Sequence, residues 1–267
     1  VTKNNMEDLY ALTNQIMGNK EYMFIAYDFE TMIDTEFRKR NDTILSIKQG
    51  AGLWLWKPYF IHKALIEECA EGDILFYLDA AAFFISDVRM IEKVMDDDIY
   101  ATCLPYIEAD WTKSEAFDIM DMDKEVYKNS FQYQASFMAF RKSMRSIMFV
   151  EEWLNNCCNP DLINPAQNIG KQIETFQNHR MDQSCFSLLC KKYNVSPHKD
   201  PTQFGIWGYP EVRGARYVGV KMKNEYPIVI VLHRLKDFGL RNKLRLVKRT
   251  MCLISKNIIK NIRRKRC

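Results

Sequence analysis

The feature that most constrains this chain is the short apolar run Ile74–Leu78, which the carboxylate of Asp79 follows at once. A short run that is almost entirely apolar is typical of a strand buried on both faces of a sheet. Gly72 stands just before it and suits the end of a helix, because glycine readily adopts the left-handed conformation. In open α/β sheets the ligand crevice lies beyond the carboxyl ends of the strands. Asp79 is therefore predicted to meet a cation or a sugar phosphate, unless it caps the next segment.

Strand-like and helix-like segments alternate along the chain, which predicts an α/β fold. Besides 74–78, the pattern predicts strands at 22–27, 99–103, 131–140 and 226–232, and the end of a strand at Val1 and Thr2. It predicts helices at 6–17, 58–70, 87–95 and 141–155, and a further helix that opens at 179. The start at Val1 rather than at Met leaves room for an upstream segment.

Length and cysteine content favour a cytosolic globular protein. The 267 residues suit one large α/β domain or a domain with an appendage. No apolar run approaches the roughly 20 residues that are needed to span a bilayer. The eight cysteines include no Cys-x-x-Cys motif, and Cys69, Cys185 and Cys190 sit among apolar helix residues. This pattern indicates reduced, buried thiols rather than a disulfide framework or a zinc site.

Residues 241–267 carry 11 basic residues and no acidic one. The net charge of +4 therefore leaves −7 on the rest of the chain, a mildly acidic globule with a basic tail. Apolar residues recur in the tail at Leu244, Val247, Met251, Ile254, Ile258 and Ile262. This spacing predicts a C-terminal basic amphipathic helix that lies on an anionic membrane. A disordered tail is the plain alternative. Nucleic acid is the rival partner, but no recognised binding motif supports it.

A block rich in glycine and tryptophan precedes the helix predicted at 58–70. The glycines of Gly50–Gly52 permit close approach of the backbone, and Pro58 suits the first turn of a helix. Lys57 stands at the start of that helix, where backbone N–H groups and the helix dipole favour an anion. Lys57 is thus a candidate phosphate ligand, with a solvated surface lysine as the alternative. Trp54 offers flat apolar area, and packing in the core is its alternative.

Two later segments carry polar groups at informative places. The strand predicted at 131–140 has polar residues in its middle, and buried amides need partners. Such a strand suits the floor of a polar pocket. The helix that opens at 179 has Asp182 and Gln183 in its first turn. The helix dipole favours an acid there, so Asp182 alone needs no functional explanation.

The motifs, taken in order, resemble a family of bacterial nucleotide-sugar glycosyltransferases from capsule and lipopolysaccharide loci. More distantly, they are similar to the glycogenin and lipooligosaccharide galactosyltransferase group. The motifs are Gly-x-Gly-x-Trp-x-Trp-Lys-Pro, Gly-Asp-x-x-x-Tyr-x-Asp-Ala, Gln-Ala-Ser, Asp-Gln-Ser and a late His-Arg, over roughly residues 44–238. The resemblance implies a GT-A fold, a Rossmann-like mixed sheet flanked by helices. Its nucleotide-binding half would span about 1–103 and its acceptor half about 104–238, with the basic tail at 239–267.

The resemblance also implies roles for particular residues. The donor diphosphate would be bound by Thr2, Lys57, Asp79 and Arg234. The sugar or acceptor would be bound by Trp54, Gln134, Ala135, Ser136 and Arg180. Asp182 and Gln183 match a pair that lies beside the anomeric carbon, where it would stabilise an oxocarbenium-like transition state.

A divalent metal ion, Mn²⁺ or Mg²⁺, is the cofactor that the resemblance implies. Asp79 and His233 would be its ligands, although a late histidine is often structural. Ala81 stands where the family's Asp-x-Asp motif has its second acid. If the ion is weakly bound or absent, Lys57 and Arg234 must neutralise more of the phosphate charge.

Two functions of different classes fit these motifs. The first is a glycosyltransferase that moves a sugar from a nucleotide-sugar donor, expected to be a UDP-hexose, to a glycan or lipid-linked saccharide in cell-surface polysaccharide synthesis. It would be cytoplasmic and peripheral on the inner face of the membrane, and no nucleic acid partner is expected. The second is a non-catalytic GT-A-like module that binds a sugar nucleotide or serves as a scaffold tethered to a membrane. Ala81 is the feature that keeps the second open.

Overall fold

The computed structural model describes residues 22–23, 25–79, 81–219 and 226–232, together with residues 248, 251, 252 and 255. Within them the chain has a mixed α/β fold, in which parallel and antiparallel strands form a sheet flanked by helices. The α/β prediction is confirmed at this level.

The first described elements are α1 (Phe29–Met32), α2 (Thr35–Arg40), α3 (Asp42–Leu45), α4 (Gly50–Leu53), α5 (Trp56–Glu67), β1 (Ile74–Leu78), β2 (Ala82–Phe84), α6 (Arg89–Glu92) and β3 (Ile99–Ile107). There follow α7 (Glu108–Trp111), α8 (Ser114–Ile119), α9 (Glu125–Lys128), β4 (Phe131–Arg141), α10 (Met144–Cys157), α11 (Pro160–Ile163), α12 (Met181–Lys192), β5 (Pro197–His198), α13 (Phe204–Trp207) and β6 (Ile230–Leu232).

The main sheet has the strand order β1-β4-β3-β5 among the described residues. β4 is antiparallel to both β1 and β3, and Leu78 at the end of β1 lies opposite Phe137. The short β5 is parallel to β3. β2 and β6 form a second, antiparallel pair, with Ala82 opposite Leu232. Because only a turn separates β1 from β2, this pair lies beyond the carboxyl end of β1.

Three helices, α5, α10 and α12, pack together, and α12 also packs against β4. Their shared core contains fully buried side chains of all three helices, among them Leu65, Phe149, Trp153 and Phe186. The rings of Trp153 and Phe186 lie 4.9 Å apart. Burying each such side chain stabilises the fold by about 1.5–3 kcal/mol. The helices that carry the polar residues described below are thus fixed by apolar packing.

Several predicted elements are confirmed with changed bounds. β1 has the predicted ends, but its residues are half-buried instead of buried on both faces, because it is an outer strand of the described sheet. The helix predicted at 58–70 is α5, which ends at Glu67. Gly72 has φ 85° and lies in the turn before β1. The strand predicted at 99–103 extends to Ile107.

Two other predicted helices have changed bounds, and a cap explains the start of the first. α10 begins at Met144, because the hydroxyl of Ser143 accepts from the backbone N–H of Ser146 in a capping box. The helix predicted at 87–95 is only the four residues of α6, and the carboxylate of Asp87 accepts from the backbone N–H of Arg89. The prediction of a longer helix there is wrong.

The strand predicted at 22–27 is wrong for the residues described there, which have no strand assignment. Instead, the ring of Tyr27 stacks on Phe60 of α5, with ring centroids 4.5 Å apart. The strand predicted at 226–232 is limited to β6. The seven cysteines in the described part are thiols. Cys185 and Cys190 are buried as predicted, but Cys69 is only half-buried, because it lies after the end of α5.

Other predictions fall outside the described residues. These are the strand end at Val1 and Thr2, the helix at 6–17, and nearly all of the tail at 241–267. The tail helix therefore stays a prediction. Over the part of the chain that the structure describes, no helix is long and apolar enough to cross a membrane.

Candidate functional site

Lys57, in the first turn of α5, is buried with its ammonium group between two carboxylates. Its Nζ lies 2.8 Å from Oδ2 of Asp182 and 3.7 Å from Oδ1 of Asp79. It also donates a hydrogen bond of 2.9 Å to the backbone carbonyl of Ala135. Only 4% of Lys57 is exposed, so it is not a solvated surface lysine. Three segments far apart in the sequence meet at this one ammonium group.

The charges of this cluster act on each other strongly because the groups are buried. Burial acts to lower the pKa of Lys57, but Asp182 and Asp79 together raise it above its ordinary value. Burial raises the pKa of Asp182 to about 6, and Asp79 adds to this, while Lys57 opposes it. One ammonium group serves two carboxylates. Lys57 therefore stays protonated, and the pKa of Asp182 is raised toward neutral pH.

A left-handed turn places Lys57 at the start of its helix. Five consecutive residues, Gly50–Trp54, have positive φ between 49° and 93°. A Cβ atom on Gly50 would lie 2.2 Å from the ring of Trp54, and one on Gly52 would lie 2.8 Å from Cα of Leu45. The predicted close approach at the two glycines is thus confirmed. Left-handed conformations cost roughly 1–2 kcal/mol for each residue other than glycine, so the turn is held under strain.

Asp79 lies at the carboxyl end of β1, where the sequence placed it. Its Oδ1 accepts a hydrogen bond of 2.7 Å from the hydroxyl of Tyr77, and its backbone N–H donates to the carbonyl of Ser136 at 2.9 Å. Its side chain is 28% exposed. Among the described residues, its carboxylate accepts from Tyr77 rather than from a backbone N–H of the following turn. Within the described residues, the carboxylate is thus bound by Tyr77 and lies beside Lys57.

The edge of β4 near its start is covered by side chains instead of a strand, because β1 ends opposite Phe137. Ser187 of α12 accepts from the backbone N–H of Tyr133 at 2.8 Å. One turn earlier on the same helix, Oε1 of Gln183 accepts from the N–H of Ala135 at 3.3 Å. Lys57 donates a hydrogen bond to the backbone carbonyl of Ala135. The backbone of β4 thus links the cluster around Lys57 to Gln183.

A second polar group lies on the other side of Gln183. Oε1 of the buried Gln132 accepts from Nε2 of Gln183 at 2.9 Å and from Nη1 of Arg180 at 3.2 Å. The guanidinium group of Arg180 stacks on the ring of Trp111, 3.8 Å from its centroid. Gln132 was missing from the predicted site residues. The sequence could have indicated it, because Gln132 stands two residues before Gln134 and therefore lies on the same face of the predicted strand.

Of the remaining predicted residues, Gln134 and Trp54 are described and three others are not. Gln134 is buried and lies 3.2 Å from the hydroxyl of Tyr209, which also donates to Asp200, so it faces a different neighbour from the Lys57 cluster. Trp54 is half-buried and packs against the main core, as its structural alternative proposed. Thr2, His233 and Arg234 lie outside the described residues.

The described residues do not form a metal site by themselves. Over this part of the chain, no group of three or more His, Cys, Asp or Glu side chains is placed to hold an ion. Asp79 is a partly exposed carboxylate, but Asp182 is already paired with Lys57. Mn²⁺ and Mg²⁺ need several oxygen or nitrogen ligands.

Comparison of the chain with protein-family models, curated proteins and solved structures found no match.

Proposed function

We propose that the protein is a glycosyltransferase that moves a sugar from a nucleotide-sugar donor, expected to be a UDP-hexose, to a glycan or lipid-linked saccharide. The observation that supports this best is the meeting of Asp79, Ala135 and Asp182 around Lys57. These are residues to which the family resemblance gives roles on the donor phosphate, below the sugar and beside the anomeric carbon. The GT-A identity of the α/β fold is part of this proposal.

The burial of Lys57 changes its role within the proposal. Two carboxylates already surround its ammonium group, so it is not the cation that meets the donor diphosphate. A departing diphosphate still needs positive charge. We propose that this charge comes from a group bound at Asp79 or from another basic residue, such as Arg234. Lys57 instead keeps Asp79 and Asp182 close together without full repulsion between them.

Asp182 and Gln183 divide the sugar side of the reaction between them. Asp182 is only 4% exposed, so it lies beneath the surface that the sugar would contact. From there its negative charge stabilises an oxocarbenium-like transition state. Gln183 is half-buried and lies next to it at the start of α12. We assign the direct contact with the sugar to Gln183.

A non-catalytic sugar-nucleotide-binding module is the second candidate. Ala81 in place of an acid favours it, as does the pairing of Asp182 with Lys57, which leaves few free ligands for an ion. Under either proposal, residues 241–267 would attach the protein to the inner face of an anionic membrane.

A donor-hydrolysis screen across UDP-, GDP- and CMP-sugars, with Mn²⁺, with Mg²⁺ and with EDTA, tests the proposal. We expect release of the nucleoside phosphate from one donor class. Binding of a nucleotide sugar without turnover, even with saccharide acceptors added, would favour the second candidate. Neither binding nor turnover would contradict both.

A further inference from the structure

The amide of Gln132 lies in a chain of hydrogen bonds that begins at Glu108 and ends at the backbone of β4. Glu108 is fully buried and pairs with the ammonium group of Lys191. Nε2 of Gln132 donates to Oε1 of Glu108 at 3.1 Å. Oε1 of Gln132 accepts from Nε2 of Gln183 at 2.9 Å, and Oε1 of Gln183 accepts from the N–H of Ala135 at 3.3 Å. We call these links the Glu108 chain.

The two ends of the Glu108 chain fix the direction of both amides between them. A carboxylate paired with a lysine can only accept, and a backbone N–H can only donate. The NH₂ group of Gln132 must therefore point to Glu108, and the NH₂ group of Gln183 must point to Gln132. Turning either amide over would bring two donors or two acceptors together in a buried place, at a cost of about 1–3 kcal/mol.

We propose that Gln132 is a positioning residue that holds Gln183 so that an N–H, and not the carbonyl oxygen, faces the donor sugar. This inference rests on the proposed function, in which Gln183 contacts the sugar. Nε2 of Gln183 carries two hydrogens, and the bond to Gln132 uses one of them. The carbonyl oxygen of Gln183 is turned to the strand at Ala135.

The orientation has a chemical consequence. Gln183 is a hydrogen-bond donor to a sugar hydroxyl or to the oxygen that leaves with the nucleotide. With its oxygen turned to the strand, it is not a nucleophile toward the anomeric carbon. Gln132 also accepts from Nη1 of Arg180, whose guanidinium group is stacked on Trp111. The carbonyl oxygen of Gln132 thus holds both Gln183 and Arg180 in place.

Four variants test the inference: Gln132→Met, Gln183→Met, the double variant, and Gln172→Met as the matched control. Methionine keeps the length of glutamine but has no amide. Gln172 binds Ser114 and Glu115 in a separate polar cluster, so it loses similar bonds outside the Glu108 chain. Steady-state donor hydrolysis gives kcat and KM, and circular dichroism checks the fold. If Gln132→Met does not fold, Gln132→Asn, which is too short to bridge both neighbours, takes its place.

We expect Gln132→Met and Gln183→Met each to lower kcat about tenfold or more, with KM changed less than about twofold. The double variant should be no more than about threefold slower than the slower single variant, because the two amides act as a unit. The control should keep kcat within about twofold.

A folded Gln132→Met protein with wild-type kcat would overturn the inference, and so would losses that multiply in the double variant. An equal loss in the Gln172 control would also overturn it, since any lost polar contact would then suffice. If the wild-type protein hydrolyses no donor, the proposed function fails before any variant is compared. The two failures are therefore distinguishable.

Discussion

The ammonium group of Lys57 lies 2.8 Å from a carboxylate oxygen of Asp182, although 125 positions separate the two residues in the sequence. Both side chains are buried, with 5% and 6% of their surfaces exposed. A buried ion pair is weak evidence for stability, because removing two charges from water costs about as much as their attraction returns. Breaking such a pair from one side, however, leaves an uncompensated charge in the interior.

We predict that Lys57→Met lowers the free energy of unfolding by about 3–5 kcal/mol at pH 7, because Asp79 and Asp182 would then face each other without a cation. Urea unfolding followed by circular dichroism measures this. Adding Asp182→Asn to the variant should restore much of the loss.

Lys63→Met is the matched control, since Lys63 lies on the same helix. It pairs with Glu67 at 2.9 Å, and its side chain is 32% exposed. Exposed pairs contribute about 0–1 kcal/mol, so this variant should be nearly as stable as the wild type. Equal losses in the two variants would show that the ammonium group of Lys57 has no special place in the fold.

The raised pKa of Asp182 makes the stability of the protein depend on pH. Burial raises it from 3.8 to about 6, so between these values the folded protein binds a proton that the unfolded chain has released. The contribution of Asp182 to stability is then complete below about pH 4 and is lost as the pH rises through about 6. The groups that act on it are Lys57, Asp79, the hydroxyl of Tyr77 and the thiol of Cys157.

Urea unfolding of the wild type and of Asp182→Asn from pH 4 to pH 7 measures this contribution as a difference. We expect the stability of the wild type, relative to the variant, to fall as the pH rises across that window. A difference that is constant, or that grows with pH, would mean that Lys57 outweighs burial and keeps Asp182 ionised throughout.

For the tail, we predict that the full chain binds anionic liposomes at low salt and releases them at high salt. Each basic residue near an anionic surface contributes about 1 kcal/mol, and salt screens it. Deleting residues 241–267 should abolish binding in a co-sedimentation assay while donor hydrolysis continues. If binding persists without the tail, or never occurs, the basic tail does not attach the protein to a membrane and instead contacts another surface.

The sequence was informative where a local pattern determines structure. The apolar run of β1 with its terminal acid, the polar middle of β4 and the acid at the start of α12 were all recognisable. The resemblance grouped Lys57, Asp79 and Asp182 in one site, and the structure places them within contact of one another.

Long-range partners could not be read from local patterns. A lysine at a helix start looks like an anion site, and only the fold shows that two carboxylates already face it. The same holds for Glu108, which lies in an acidic, aromatic stretch of the sequence. Its burial depends on Lys191, which lies 83 positions away. The left-handed turn at Gly50–Trp54 was hidden because three of its five residues are not glycine.

Asp79→Ala tests whether the protein turns over a nucleotide sugar at the carboxyl end of β1. Donor hydrolysis and circular dichroism are measured on the wild type, on Asp79→Ala and on Asp118→Ala, an exposed acid on α8. We predict that all three proteins fold, that the wild type and Asp118→Ala hydrolyse the donor equally, and that Asp79→Ala has no turnover. A folded Asp79→Ala protein that hydrolyses the donor at the wild-type rate would contradict it.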